Sequence, residues 1–335
     1  MRRLGGLGRA MTVPVERATA ASRIGLGAAV AVVLGLASLP WWADSSALRL
    51  VVEAVCLLVL AQMWNLLAGY GGLVSVGQQA YVGLGGYALV TLADLGGLDP
   101  FLCVPLGGVI AALAALPVSR VAFRLQGGHF AIGTWVIAEV FRLAVANTRA
   151  LGGGSGQSLI SMRAYAKGPR EAATYWMALA LLVLALATIY AVLRSRVGLG
   201  LTAMRDSEVA AESQGVDVAA TKLGMYVAAA FGSGVAGALY FLMNLRISPD
   251  AAFGVSWSAF IIFIVVIGGI GTIEGPIVGT ILFFALREGL ADHGAWYLIA
   301  LGLVAVATML ACPQGLWGWA AQRFDLSLFP VTRRA

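Results

Sequence analysis

Polar side chains are scarce in this chain, so the places where they gather point to its chemistry. One gathering interrupts an apolar run: "GYGGLVSVGQQAYVGLGGYA" (69–88) holds seven glycines, Ser75 and the adjacent amides Gln78 and Gln79. These groups offer donors and acceptors without net charge, which suits the lining of a path for a polar solute. The same residue types also serve as interhelical hydrogen bonds where helices approach through small residues, and both readings stay open. A second gathering, "RSRVGLGLTAMRDSEVAAESQGVDVAATK" (194–222), mixes both signs of charge. Leu199 to Gln214 reads as one short helix with Gly215 at its C-terminal cap. Arg205 and Glu208 stand three apart, as an ion pair on one helix face would. Alanines and glutamates suit docking on a protein better than resting on lipid. Three carboxylates, Glu53, Glu139 and Glu274, stand in or beside apolar runs, where a proton or ion relay would use them. Arg142 at i+3 makes Glu139 a local ion pair instead.

Other chemistries lack their residues. A phosphate-cradling loop ends in Gly-Lys-Ser/Thr, and the chain has no Gly-Lys dipeptide. No nucleophile–base arrangement stands out. His129 and His293 are isolated, and Cys56, Cys103 and Cys312 lie in apolar runs as small hydrophobes, so neither a metal nor another cofactor is expected. The scattered basic residues exclude a nucleic-acid surface.

The elements that hold these groups follow from composition. Of 335 residues 60% are hydrophobic and 11% charged, with mean hydropathy +0.88, against about 25% charged in a soluble domain. The chain is therefore an all-α polytopic membrane protein embedded in a lipid bilayer. Apolar segments fall at 24–42, 48–68, 72–92, 101–123, 129–146, 174–193, 222–245, 257–286 and 295–312. The segment 257–286 is too long for one span and contains "GGIGTIEGP" (268–276), so it divides into two short helices. About ten crossings result, some short or Gly-broken. A basic arm (1–23), the membrane domain (24–312) with a polar insert at 194–221, and a tail (313–335) make up the chain. With both termini cytoplasmic, 14 of the 22 Lys and Arg fall inside, as the positive-inside tendency requires. If 72–92 dips in and returns, the inside share falls to 12. Pro40, Trp41 and Trp42 close the first run as an interfacial anchor, so that run reads as an uncleaved helix. "GGLVSV" (71–76) and "GGIGTI" (268–273) echo one another, as internal repeats of transporters do and as chance in a Gly-rich chain also allows.

In order and spacing these stretches resemble the permeases of branched-chain amino acid ABC importers, the LivM subfamily. Gly69, Tyr70, Gly72, Ser75, Gly77 and Gln78 match its first Gly-rich stretch. Arg194, Arg196, Gly198, Arg205, Asp206, Glu208, Ala210, Ala211, Glu212 and Gly215 match its cytoplasmic coupling region, and 268–279 its late Gly-rich hairpin. "LGGGSG" (151–156) is similar to an outer-loop element of the family. Leu199 and Thr202 depart from it, standing where basic residues are common. The resemblance implies the ABC importer permease fold, a bacterial inner-membrane location, and a path between this chain and a paralogous, LivH-like permease. It also implies two ATP-binding subunits and an external solute-binding protein. Branched-chain amino acids, other amino acids, urea and short amides are the solutes it leaves open. The path residues would be Asn65, Ser75, Gln78, Gln79, Tyr81 and Thr272, and the coupling residues Arg205, Asp206, Glu208, Glu212 and Gly215. The alternative is an ion-coupled secondary transporter using Glu53, Glu139 or Glu274.

Overall fold

The computed structural model describes residues 20–290, 294, 296–324 and 329. Most of the basic arm, His293 and most of the tail lie outside the described residues. The apolar runs form helices α1 (Ala20–Ala37), α2 (Ser45–Asn65), α3 (Gln78–Val90), α4 (Pro100–Ala122), α5 (Gly128–Ala146) and α6 (Lys167–Arg194). The polar insert forms α7 (Arg196–Asp206) and α8 (Glu208–Ser213). Then follow α9 (Val218–Asn244), the short α10 (Pro249–Phe253), α11 (Ser256–Gly268), α12 (Glu274–Gly289), α13 (Trp296–Ala311) and α14 (Gly315–Phe324). Among the described residues seven stretches are long and apolar enough to cross a membrane; α3 with 13 residues and α12 with 16 are shorter.

The expected split of 257–286 is present: α11 ends at Gly268 and α12 starts at Glu274. Gly269 (φ 134°) and Gly271 (φ 77°) supply the left-handed backbone of the turn, which L side chains resist. Helix α3 has 13 residues, about 20 Å at 1.5 Å per residue, against a hydrocarbon core of about 30 Å. A non-helical stretch at 71–77 precedes it and a π-helical turn, Thr91–Leu95, follows it.

Helices α2 and α9 are the buried centre, and α3 and α4 close on α9. Glycine makes that approach possible. A Cβ at Gly85 of α3 would strike the carbonyl of Gly234 in α9, and one at Gly237 would strike the carbonyl of Val82. The helix backbones touch, which is how membrane helices gain packing energy without a hydrophobic drive between them. By contrast α5 and α13 leave most of their apolar surface outward.

Contacts between links sort to two ends of the bundle. At one end a two-stranded pair joins β1 (Gln157–Ser158) to β2 (Arg246–Ile247). There Asp94 accepts from the amides of Ile160 and Ser161, and Arg142 bridges Glu139 and Asp250. Arg49 meets Glu171 at 2.9 Å, and Tyr175 donates to the carbonyl of Leu36. At the other end Arg205, Gly69 and Gly271 meet, with Gly315 against Gly269.

Gly237→Leu should overpack the α3–α9 contact by about 1–3 kcal/mol or more. The expected outcome is a lower unfolding temperature in detergent, while Gly224→Leu, whose Cβ meets nothing within 4 Å, leaves it nearly unchanged.

Candidate functional site

Two helix breaks meet at the end of α2. After Asn65 that helix widens into a π-helical turn, Leu66–Tyr70, and the chain runs on without regular structure to Gly77. The second break is the 269–273 turn. Each strands backbone groups among apolar helices, where an unmade hydrogen bond costs about 1–3 kcal/mol. Polar side chains of α2 take up these groups. Gln62 Nε2 donates to the carbonyl of Ile273 (2.7 Å), and Asn65 Nδ2 to that of Thr272 (2.8 Å). Asn65 Oδ1 accepts from the Gly271 amide (2.8 Å), and Trp64 Nε1 donates to the Ser75 carbonyl (2.7 Å). One helical turn thus holds both breaks.

Neighbouring helices finish the first break. Thr134 of α5 accepts from the Val76 amide (3.1 Å), and Ser258 of α11 donates to the Val76 carbonyl (3.2 Å). The echoed stretches end alike: Ser75 Oγ accepts from Gly77 N, and Thr272 Oγ1 from Gly275 N. Each hydroxyl takes up amides at the entry to a helix, α3 and α12, as capping residues do. Gly72 and Gly269, equivalent in the echo, both have positive φ.

Of the expected path residues, Asn65, Ser75, Gln78, Gln79 and Tyr81 are buried inside the chain, and Thr272 is partly exposed. The fold joins Asn65 to Thr272 and brings Ser75 beside Trp64. It sends Gln78 elsewhere, to Ser233 of α9 (2.7 Å). Gln79 accepts from Ser258, and its Nε2 has no partner among the described residues. Tyr81 packs edge-on against Tyr226. Sequence reasoning missed Gln62, Trp64, Thr134, Ser233 and Ser258. The available signal was Gln62 with Asn65: two amides at i, i+3 inside an apolar run share one face.

The segment expected to carry coupling differs from expectation in its structure. The single helix expected over 199–214 is two, α7 and α8, broken at Ser207 (φ −162°, ψ 115°). Ser207 Oγ accepts from Ala210 N (3.3 Å), so the hydroxyl starts α8 instead of letting α7 continue. The expected Arg205–Glu208 pair therefore does not form. Arg205 Nη1 donates to the carbonyl of Gly69 (3.0 Å), beside Gly271, while its Nε lies 3.5 Å from Asp206. Glu208 pairs with Lys222 of α9 at 2.6 Å. Gly215 has φ 85° and ends α8 as expected. Asp206, Glu208, Glu212 and the apolar Leu199 and Val209 are all exposed, Val209 at 75%.

The membrane carboxylates are occupied. Arg287 grips both oxygens of Glu53 at 2.8 Å, Arg142 grips Glu139 as its i+3 spacing implied, and Glu274 accepts from the Phe329 amide. Among the described residues no three His, Cys, Asp or Glu gather as a metal site would require, and Cys56, Cys103 and Cys312 are free thiols.

The family model described as "Branched-chain amino acid transport system / permease component" matches residues 46–312. The "High-affinity branched-chain amino acid transport system permease protein LivM" of Salmonella typhimurium is 28% identical over 303 residues, covering 83% of this chain and 71% of its own. The protein of the same description from Escherichia coli is 30% identical over 285 residues, covering 77% and 67%. A "Probable branched-chain amino acid transport permease protein LivM" of Methanocaldococcus jannaschii is 26% identical over 201 residues, covering 59% and 57%. No solved structure matches.

Asn65→Leu removes a side chain that serves one backbone donor and one acceptor. The expected loss is about 2–4 kcal/mol of stability, read as a lowered unfolding temperature. A cysteine at 272 should then react faster with thiol reagents in the variant than in the parent.

Proposed function

The chain belongs to the branched-chain amino acid transport permease family, and from that membership we propose that it is one permease subunit of an ATP-driven importer for branched-chain or related amino acids. It is a multi-pass inner-membrane transport protein. In this reading a paralogous permease completes the path, an external solute-binding protein delivers the solute, and two ATP-binding subunits hydrolyse ATP. The chain itself carries no ATPase site, and both termini are cytoplasmic.

Ten crossings are supported by the order of the links. Ten helices of 13 or more residues succeed one another among the described residues, and contacts of several links are consistent with alternation between two ends. The link after α2 lies with Arg205, whereas those after α3, α5 and α9 share the strand-pair end.

The observation that carries the coupling role is the Arg205–Gly69 hydrogen bond. It connects an exposed, acidic and apolar docking face directly to both helix breaks. A push on α7 and α8 reaches the Gly69 carbonyl through one guanidinium, and the Asn65 amide relays it to the 269–273 turn. Asp206, Glu208 and Glu212 would meet the ATP-binding subunit, with Gly215 setting the exit of α8. Asn65, Ser75, Gln78 and Thr272 would fix the framework beside the path. Gln79, whose amide nitrogen is unsatisfied, would meet water or solute as the helices part, and Tyr81 lies one turn of α3 further along. The ion-coupled alternative draws on Glu53, Glu139 and Glu274, each of which is already engaged by an arginine or an amide.

Two measurements check this. In a background without native cysteines, thiols at 206 and 212 should label only from the cytoplasm and those at 155 and 163 only from outside. Labelling of both sets from one side overturns the ten-crossing order. In proteoliposomes holding all subunits, Arg205→Gln removes a charge-assisted bond of about 1.5–3 kcal/mol. Transport per ATP should drop about tenfold with the complex still assembled. An unchanged ratio overturns the coupling role, and transport by the lone chain without ATP favours the alternative.

A further inference from the structure

A cavity of about 780 Å³ opens on the side of the bundle between α4, α6 and α9, with α2 as its floor. Its size lies within the range of about 300–1,000 Å³ that encloses small-molecule ligands. Leu181, Ile189, Met63 and Val227 stand among its apolar walls, and Thr188 and Thr221 are its only polar side chains. Leu184, Val197 and Phe231 form a rim 40% or more exposed, so the cavity is an open groove on the apolar outer surface. None of the path or coupling residues lines it.

One end of this groove is basic. The lining residues Val192 and Val197 bracket Arg194 and Arg196 in sequence, and both arginines are exposed. Among the described residues neither is paired with a carboxylate; Arg194 Nη1 donates to the Tyr190 hydroxyl (2.7 Å), leaving its other N–H groups available. In the same polar insert Glu208 pairs with Lys222, Asp206 lies beside Arg205, and Asp217 accepts from the Ala220 amide that starts α9. The site therefore joins an alkyl-sized apolar slot to two guanidinium groups with no carboxylate partner among the described residues.

We propose that this groove is a binding site for a phospholipid with an anionic headgroup. An acyl chain fills the slot between α6 and α9, and the headgroup phosphate is held by Arg196 and Arg194. Guanidinium forks match phosphate oxygens in geometry as well as charge. Basic pockets between membrane helices capture anionic headgroups by the same physics. A zwitterionic lipid fits the slot but gains less from the basic end.

Native mass spectrometry of the purified full-length chain tests this, with phosphatidylglycerol and phosphatidylcholine of identical acyl chains added in turn. Phosphatidylglycerol should be retained about tenfold better. The double variant Arg194→Ala/Arg196→Ala should erase that preference. Ala228→Trp, which fills the slot, should reduce retention of both lipids; should it misfold, Thr188→Trp on the exposed rim blocks the same space. Equal retention of the two lipids, or a preference that survives the double variant, overturns the proposal. So does efficient cross-linking of a cysteine at 188 to a co-purifying permease, which would make the groove a subunit contact.

Discussion

A helix broken inside an apolar bundle strands backbone donors and acceptors, and the centre of this fold is arranged around satisfying them. Each unmade bond costs about 1–3 kcal/mol, and lipid supplies no water to make it. Gln62, Trp64 and Asn65 of α2 supply four of the missing partners within one turn. That arrangement fixes the ends of α3 and α12 against the same helix. It also explains why α2 is so thoroughly buried: its side chains bond backbone on two sides, so both sides must close around it.

Such a hub is rigid where it is bonded and weak at its edge. The Gly69 carbonyl, at the end of the π-helical turn, takes its partner from outside the bundle, the Arg205 guanidinium. The segment carrying Arg205 is the one whose outer surface mixes exposed carboxylates with exposed Leu199 and Val209. A contact made on that surface has a short mechanical route to both breaks. In the proposed reading this serves rigid-body gating, in which a small shift at one site repositions packed elements.

Ion pairs tie helices together at the strand-pair end and within the span: Arg49 to Glu171, Arg142 to Glu139 and Asp250, and Arg287 to Glu53. At the end bearing α7 and α8, Lys222 meets Glu208, and among the described residues Arg194 and Arg196 have no carboxylate partner.

The sequence by itself determined the class and most of the helices, because an apolar run of sufficient length has no other stable state in a bilayer. Local backbone needs were legible too. The glycines of 268–276 had to break a helix, Gly215 had to end one, and Glu139 had to meet Arg142 at i+3. The joining of the two breaks was not legible. Gln62 and Ile273 are 211 residues apart, and Gln78 and Ser233 are 155 apart. No local pattern encodes which distant carbonyl or hydroxyl an amide will find. Ser207 shows the same limit at short range. Helix propensity over 199–214 favoured continuity, yet a hydroxyl cap and the pull of Arg205 towards Gly69 and Glu208 towards Lys222 turned the chain. Those attractions exist only once α2 and α9 are in place, so tertiary structure alone decided the course of residues 194–221.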